Sequence, residues 1–152
     1  MRRRLMLAAP IILVAGGALL WVSARPKLSQ EQQIAQVILQ VKQAVEAKRA
    51  GALLRHLSKD YDDGVHSRRE ITQLVIQGFR SPDAFRVHVE PPKVDVQGDR
   101  ATARVRAEFW AGSPDDTAGH VRLDVNMTFA RSGRRWKILG ARGWEPAMSA
   151  VD

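Results

Sequence analysis

"RATARVRAEFW", residues 100–110, alternates small or apolar side chains with polar or bulky ones at every step. Ala101, Ala103, Val105, Ala107 and Phe109 fall on one side. Arg100, Thr102, Arg104, Arg106, Glu108 and Trp110 fall on the other. A period of two marks a β-strand with one dry face and one wet face, because successive Cβ atoms point to opposite sides of the pleat. "HVRLDVNMTFA", 120–130, repeats the pattern, with Val121, Leu123, Val125, Met127 and Phe129 on its apolar side. A short connection makes the two strands antiparallel neighbours. Their inward faces hold no ionisable group, whereas Asp124 and the arginines face outward.

The flanking segments extend the sheet. Upstream, "FRVHVEPPKVDV", 85–96, sets Phe85, Val87 and Val89 on one face, but Pro91 and Pro92 must break or bulge it, as in an edge strand. Downstream, "WKILGARGW", 136–144, is the last strand, with glycines that allow a bend. Four strands in an antiparallel meander are expected. A slip of one residue at Pro91, Pro92 or Gly112 would turn Asp124 and Arg104 inward.

Before Phe85 the period is 3.6. Ser29 and Gln32 form a capping box that opens a helix from Gln30 to about Ala50, with Ile34, Val37, Ile38, Val41, Ala44, Val45 and Lys48 as its stripe. Gly51 is expected to stop it, and "ALLRHLSKDY" reads as a second, short helix with Leu53, Leu54 and Leu57 facing inward. Ser67 and Glu70 cap a third helix carrying Ile71, Leu74, Val75 and Phe79. The fold class is therefore α+β, three helices packed on a curved four-stranded antiparallel sheet.

The N-terminus sets the compartment. Residues 5–22, "LMLAAPIILVAGGALLWV", form an uncharged apolar run behind "MRRR". Its length suits a membrane-spanning helix with the arginines kept cytoplasmic and the rest of the chain exported. The small residues of "VSA", 22–24, allow the alternative of a signal peptide cleaved near Ala24, leaving a secreted or periplasmic protein. The reading divides the chain into a basic tip and anchor or signal peptide (1–24), a stalk (25–29), one globular domain (30–145) and a tail (146–152). A composition of 45% hydrophobic and 26% charged residues agrees with one compact core. The absence of cysteine excludes disulfides, thiolate metal sites and a cysteine nucleophile. The formal charge of +8 falls to +5 without Arg2, Arg3 and Arg4, which favours anionic partners. Export makes nucleic acid an unsuitable one.

Polar chemistry is concentrated in "SKDYDDGVHSRREI", 58–71. Asp60, Asp62, Asp63 and Gly64 suggest half an EF-hand loop, but that loop needs ligands at positions one, three and five, glycine at six and glutamate at twelve. Placing Gly64 at six and Glu70 at twelve leaves Lys59 at one. His56, His66, His88 and His120 show no paired ligand spacing, so neither a metal nor a cofactor is expected. The simplest reading is a connector whose Ser67 and Glu70 cap the next helix and whose aspartates stay in water.

Helices followed by this sheet, with "AVEAKRAGALLRHLSKDYDDG" (44–64), "QGDRATARV" (97–105) and the closing "WKI" (136–138), resemble the nuclear transport factor 2-like superfamily, which includes SnoaL-like cyclases and ketosteroid isomerase. The resemblance spans about residues 30–145. It implies a cone-like α+β barrel with an internal cavity, a sheet whose outer face often forms dimers, and, in enzymatic members, acidic groups and tyrosine on the cavity wall. None of the matching motifs is catalytic.

The expected function is a membrane-anchored or secreted noncatalytic domain that binds a small apolar ligand or a protein partner. Its expected pocket is lined by Tyr61, Phe79, Ala103, Val105, Phe109, Leu123 and Met127. Its expected interaction face presents Arg86, Arg104, Arg106, Trp110 and Arg122 to a second copy, an envelope protein or headgroups. One alternative is an isomerase, cyclase or hydrolase using Tyr61 with Asp62 or Asp63, or Asp124 if the register slips. A second is a scaffold or assembly factor in an envelope complex.

Overall fold

The computed structural model describes residues 26–112 and 119–151. The segment 5–22, read above as a membrane anchor or signal, lies outside the described residues. Among the described residues no helix is long and apolar enough to cross a membrane.

Helix α1 spans Gln30–Glu46, α2 Ala50–Leu54 and α3 Arg68–Gly78. Both predicted capping boxes are formed. Ser29 Oγ accepts from Gln32 N while Gln32 Oε1 accepts from Ser29 N, and Ser67 and Glu70 do the same for α3. α1 ends four residues before the expected end near Ala50. The chain reverses through Lys48 in the left-handed region at φ 51°, and Gly51 lies inside α2 rather than stopping α1. A non-glycine residue there is strained by about 1 kcal/mol or more. Lys48 is held by its Nζ, which donates to Ser81 O and lies 4.5 Å from the centre of the Phe85 ring. The expected second helix also stops early, because Arg55–Ser58 turn to the edge of the last strand instead: Ile138 N donates to His56 O and Ser58 N donates to Ile138 O, both at 2.8 Å. That pairing covers a strand edge which would otherwise be open.

The sheet has five strands, β1 Phe85–Val89, β2 Lys93–Gln97, β3 Arg100–Ala111, β4 His120–Ser132 and β5 Arg135–Arg142. The expected single first strand is two. Pro91 and Pro92 have no N–H to give to the ladder, so the segment divides there. β1 pairs with residues 107–111 of β3 and β2 with 100–104. The central register, from Arg100↔Ala130 to Trp110↔His120, has no slip, and the irregularity in the sheet falls between Thr128 and Phe129 where β4 meets β5. The inward set is therefore the one the alternation dictates, and Ala101, Ala103, Val105, Ala107, Phe109, Met127 and Phe129 are buried.

Ile34 of α1, Phe129 of β4 and Ile138 of β5 are almost fully enclosed in one core cluster. Each such side chain contributes about 1.5–3 kcal/mol of burial. Beyond β5 the chain passes Gly143, at φ 94°, where a Cβ would lie 2.2 Å from the backbone oxygen of Asp124. It then folds residues 146–149, expected to be tail, into a fourth short helix, α4 Pro146–Ser149, with the proline in its first turn.

Candidate functional site

Between the helices and the concave face of the sheet lies a hollow of about 250 Å³. α1 supplies Ile38, Val41 and Val45 to its wall, α3 supplies Ile71, Leu74 and Val75, and the sheet supplies Val87, Val105, Phe109, Leu123, Val125 and Met127. Trp144, Met148 and Val151 close it from the C-terminal side. Of the small inward residues of β3 only Ala107 borders the void, where it leaves volume that its larger neighbours only partly fill.

Of the seven residues expected to line a pocket, Tyr61, Phe79, Val105, Phe109, Leu123 and Met127 lie on this wall. Ala103 does not. It sits in the closed part of the core, packed with Ile34, Phe129 and Trp136 in one cluster. Val87, Trp144 and Met148 were missing from that expectation. Val87 was legible from the period of β1, whereas Met148 belongs to a helix too short to show a period.

The wall is hydrocarbon apart from three polar side chains, each with a partner. Lys42 Nζ donates to Glu46 Oε2 at 2.9 Å and Trp144 Nε1 to Ala141 O at 3.0 Å. Tyr61 Oη donates to Asp63 Oδ2 at 2.9 Å. Burial, then that bond, then the carboxylate's charge push the phenol far above its ordinary range.

Asp63 corrects the expectation that the aspartates of this stretch stay in water. It is 5% exposed. Its Oδ1 accepts from Val65 N at 2.8 Å and His66 N at 2.6 Å, and its Oδ2 accepts from Tyr61 and faces His66 Nδ1 at 3.3 Å. Burial is the largest single influence and opposes ionisation. The His66 and Val65 amides, followed by Tyr61 and the His66 ring, outweigh it and hold the carboxyl below the usual range. Asp63 is thus an ionised staple of its own loop, and it does not line the hollow. The loop is in turn fastened to β5, since Asp62 N donates to Leu139 O at 2.9 Å and Arg142 Nε to Asp63 O at 2.5 Å. Asp62 remains exposed and caps Gly64 N at 2.7 Å. His66 packs against Trp144, with ring centres 5.5 Å apart.

Asp124 is on the outer face of the sheet, where Arg104 grips it through Nε at 2.9 Å and Nη2 at 2.5 Å. Those bonds lower its pKa. The same face carries Arg122 3.6 Å from Glu108, and Arg86 over Trp110, whose ring stacks on His120 at 4.7 Å. Arg106 stands opposite Asp124 in register. The five residues of the expected interaction face do share that face, and two of its four arginines, Arg104 and Arg122, have an acidic partner within it. Among the described residues no group of three His, Asp or Glu side chains converges to hold a metal ion.

Residues 26–142 match the family model of the SnoaL-like domain. The fold also matches solved structures. A protein of unknown function from Pseudomonas putida KT2440, described as NTF2-like, is 18% identical over 73% of this chain and 82% of its own, with a TM-score of 0.63. A Novosphingobium aromaticivorans protein provisionally called an aromatic ring hydroxylase is 16% identical over 77% and 89%, at 0.62. Bd1075 of Bdellovibrio bacteriovorus is 11% identical over 76% of this chain at 0.63, and the chain spans 43% of that protein's length. At these identities the likeness is one of fold. A search of curated protein sequences returned no match.

Proposed function

The chain belongs to the SnoaL-like family, and from that premise we propose that it is a noncatalytic member whose hollow holds a small apolar ligand. The observation that carries this is the wall itself: hydrocarbon but for Lys42, Tyr61 and Trp144, each already bonded within the protein, the Tyr61 hydroxyl to Asp63. General acid–base catalysis needs a positioned group that is free to exchange a proton with substrate. Here the carboxylate bonded to the wall's tyrosine has both oxygens engaged by its own loop. At about 250 Å³ the hollow is smaller than the roughly 300–1,000 Å³ of drug-sized sites, which suits a short acyl chain or one to two fused rings. With residues 5–22 read as an anchor, the domain would work beside the membrane on its extracytoplasmic side, where apolar molecules are plentiful.

Native mass spectrometry of the full chain extracted in mild detergent tests the reading. A retained organic mass, displaced by a fluorescent apolar probe and lost in Leu123→Trp, supports it. Failure of any apolar probe to bind the wild-type chain sinks it.

A second reading, an isomerase or dehydratase, draws on one observation, the contiguous Tyr61–Asp63–His66 chain at the edge of the wall. Relatives provisionally named a hydroxylase and a scytalone dehydratase keep it in view. It requires that Asp63→Asn abolish turnover of a ligand which the variant still binds. A role as an envelope scaffold, or a homodimer through the sheet, is the weaker third reading, because Arg104 and Arg122 already have acidic neighbours within their own face.

A further inference from the structure

α1 has a second void on its other side. This groove, about 760 Å³, runs along Gln33, Val37, Gln40 and Ala44 and is closed by α2 and the β4–β5 turn. Arg49, Arg55, Arg134, Arg135 and Lys137 line it, and no carboxylate does. None of these five cations has an acidic partner within 4.0 Å among the described residues. The concentration of charge reaches beyond the surface. His56, which also lines the groove, has its pKa lowered first by burial and then by Arg55 and Lys137. Trp136, 3% exposed, is also part of the groove's lining, and its enclosed indole Nε1–H has no acceptor among the described residues. Native proteins rarely leave such a donor unused, since a buried polar group without a partner costs about 1–3 kcal/mol.

Five cations without a carboxylate partner around one groove are the complement of a multivalent oxyanion. Guanidinium forks match its oxygens two at a time, and the apolar floor of Val37, Ala44 and Ala52 suits a ligand with a carbon body. We propose that this groove binds a phosphate-bearing anion. A phosphate of this kind has two sources, an anionic lipid headgroup or a soluble organophosphate. The first is favoured by the stalk: from residue 22 to Gln33 the chain has only a short tether before α1 begins at Gln30, about 3.3 Å per residue if extended, so the groove stays near any bilayer that holds residues 5–22.

The test is a nitrogen-15 spectrum of the full chain in a nonionic detergent, in which the four tryptophans give separate indole N–H signals and Trp136→Phe identifies one. Inorganic phosphate, glycerol phosphate, dihexanoyl phosphatidylglycerol and dihexanoyl phosphatidylcholine are titrated at an ionic strength fixed with sodium chloride. A saturable shift of the Trp136 signal is expected, at least about tenfold weaker in Arg134→Ser/Arg135→Ser, in line with the loss of one or two charged hydrogen bonds. A response to phosphatidylglycerol but not to the soluble phosphates assigns the lipid source, and the converse assigns the soluble one. No saturable shift with any phosphate, a shift that chloride alone reproduces, or an unchanged affinity in the double variant overturns the proposal. The Trp110 and Trp144 indole signals report whether the variant is folded.

Discussion

The two sides of α1 face voids of opposite character. On one side Ile38, Val41 and Val45 look into a hollow walled by hydrocarbon, and on the other Val37, Gln40 and Ala44 floor a groove rimmed by arginine. A buried wall has to satisfy every polar group internally, so its chemistry is limited to shape and van der Waals contact. An exposed rim can carry unmatched charge because water screens it until a ligand arrives. One helix thus separates a void that would select by size from one that would select by charge.

That contrast is broken most directly by moving charge to the wrong side. Phe109→Asp places a carboxyl in the hollow wall, where burial without a partner should cost more than about 4 kcal/mol. Urea denaturation should find the variant largely unfolded. Asp63→Asn comes next, with an expected loss of about 2–4 kcal/mol, because one oxygen that accepts from Tyr61 or the loop amides becomes a donor. Its pH dependence has a definite sign. The folded pKa of Asp63 is depressed, so its contribution is complete above the unfolded value of about 3.9 and lost as pH falls through the folded value. The stability gap between wild type and Asp63→Asn should be level above about pH 5 and close below pH 4.

Leu123→Trp sharpens the contrast instead, filling the hollow at a cost of about 1–3 kcal/mol while abolishing uptake of an apolar probe and leaving the groove's phosphate response intact. The smallest effect is expected of Arg134→Glu/Arg135→Glu in the exposed β4–β5 turn. Its denaturation midpoint should match wild type, and the apolar probe should bind unchanged.

The hollow's floor was legible in the sequence because the strict alternation of β3 and β4 leaves one assignment of inside and outside. The capping boxes were legible for a similar reason, as both partners lie three residues apart. Asp63 was not. A carboxylate beside glycine in a polar run reads as solvated, and its burial depends on a fastening to Leu139 and Arg142, far along the chain. The groove was invisible for the same cause. Its cations come from the two ends of α2, the β4–β5 turn and the start of β5, and only the crossing of α1 over β5 sets them around one space. Lys48 adds a local case: its place in the helical stripe is consistent with continuing α1, but its backbone turns the chain instead.

Gly143 offers one more consequence. A methyl group at that position would collide with the main chain of Asp124, and the backbone already sits where side-chain-bearing residues are uncomfortable. A saturation library should therefore tolerate a single amino acid at this site. The damage from any other would show first as early protease cleavage around Trp144 and Met148, opening the cone at its C-terminal corner while the strands stay intact.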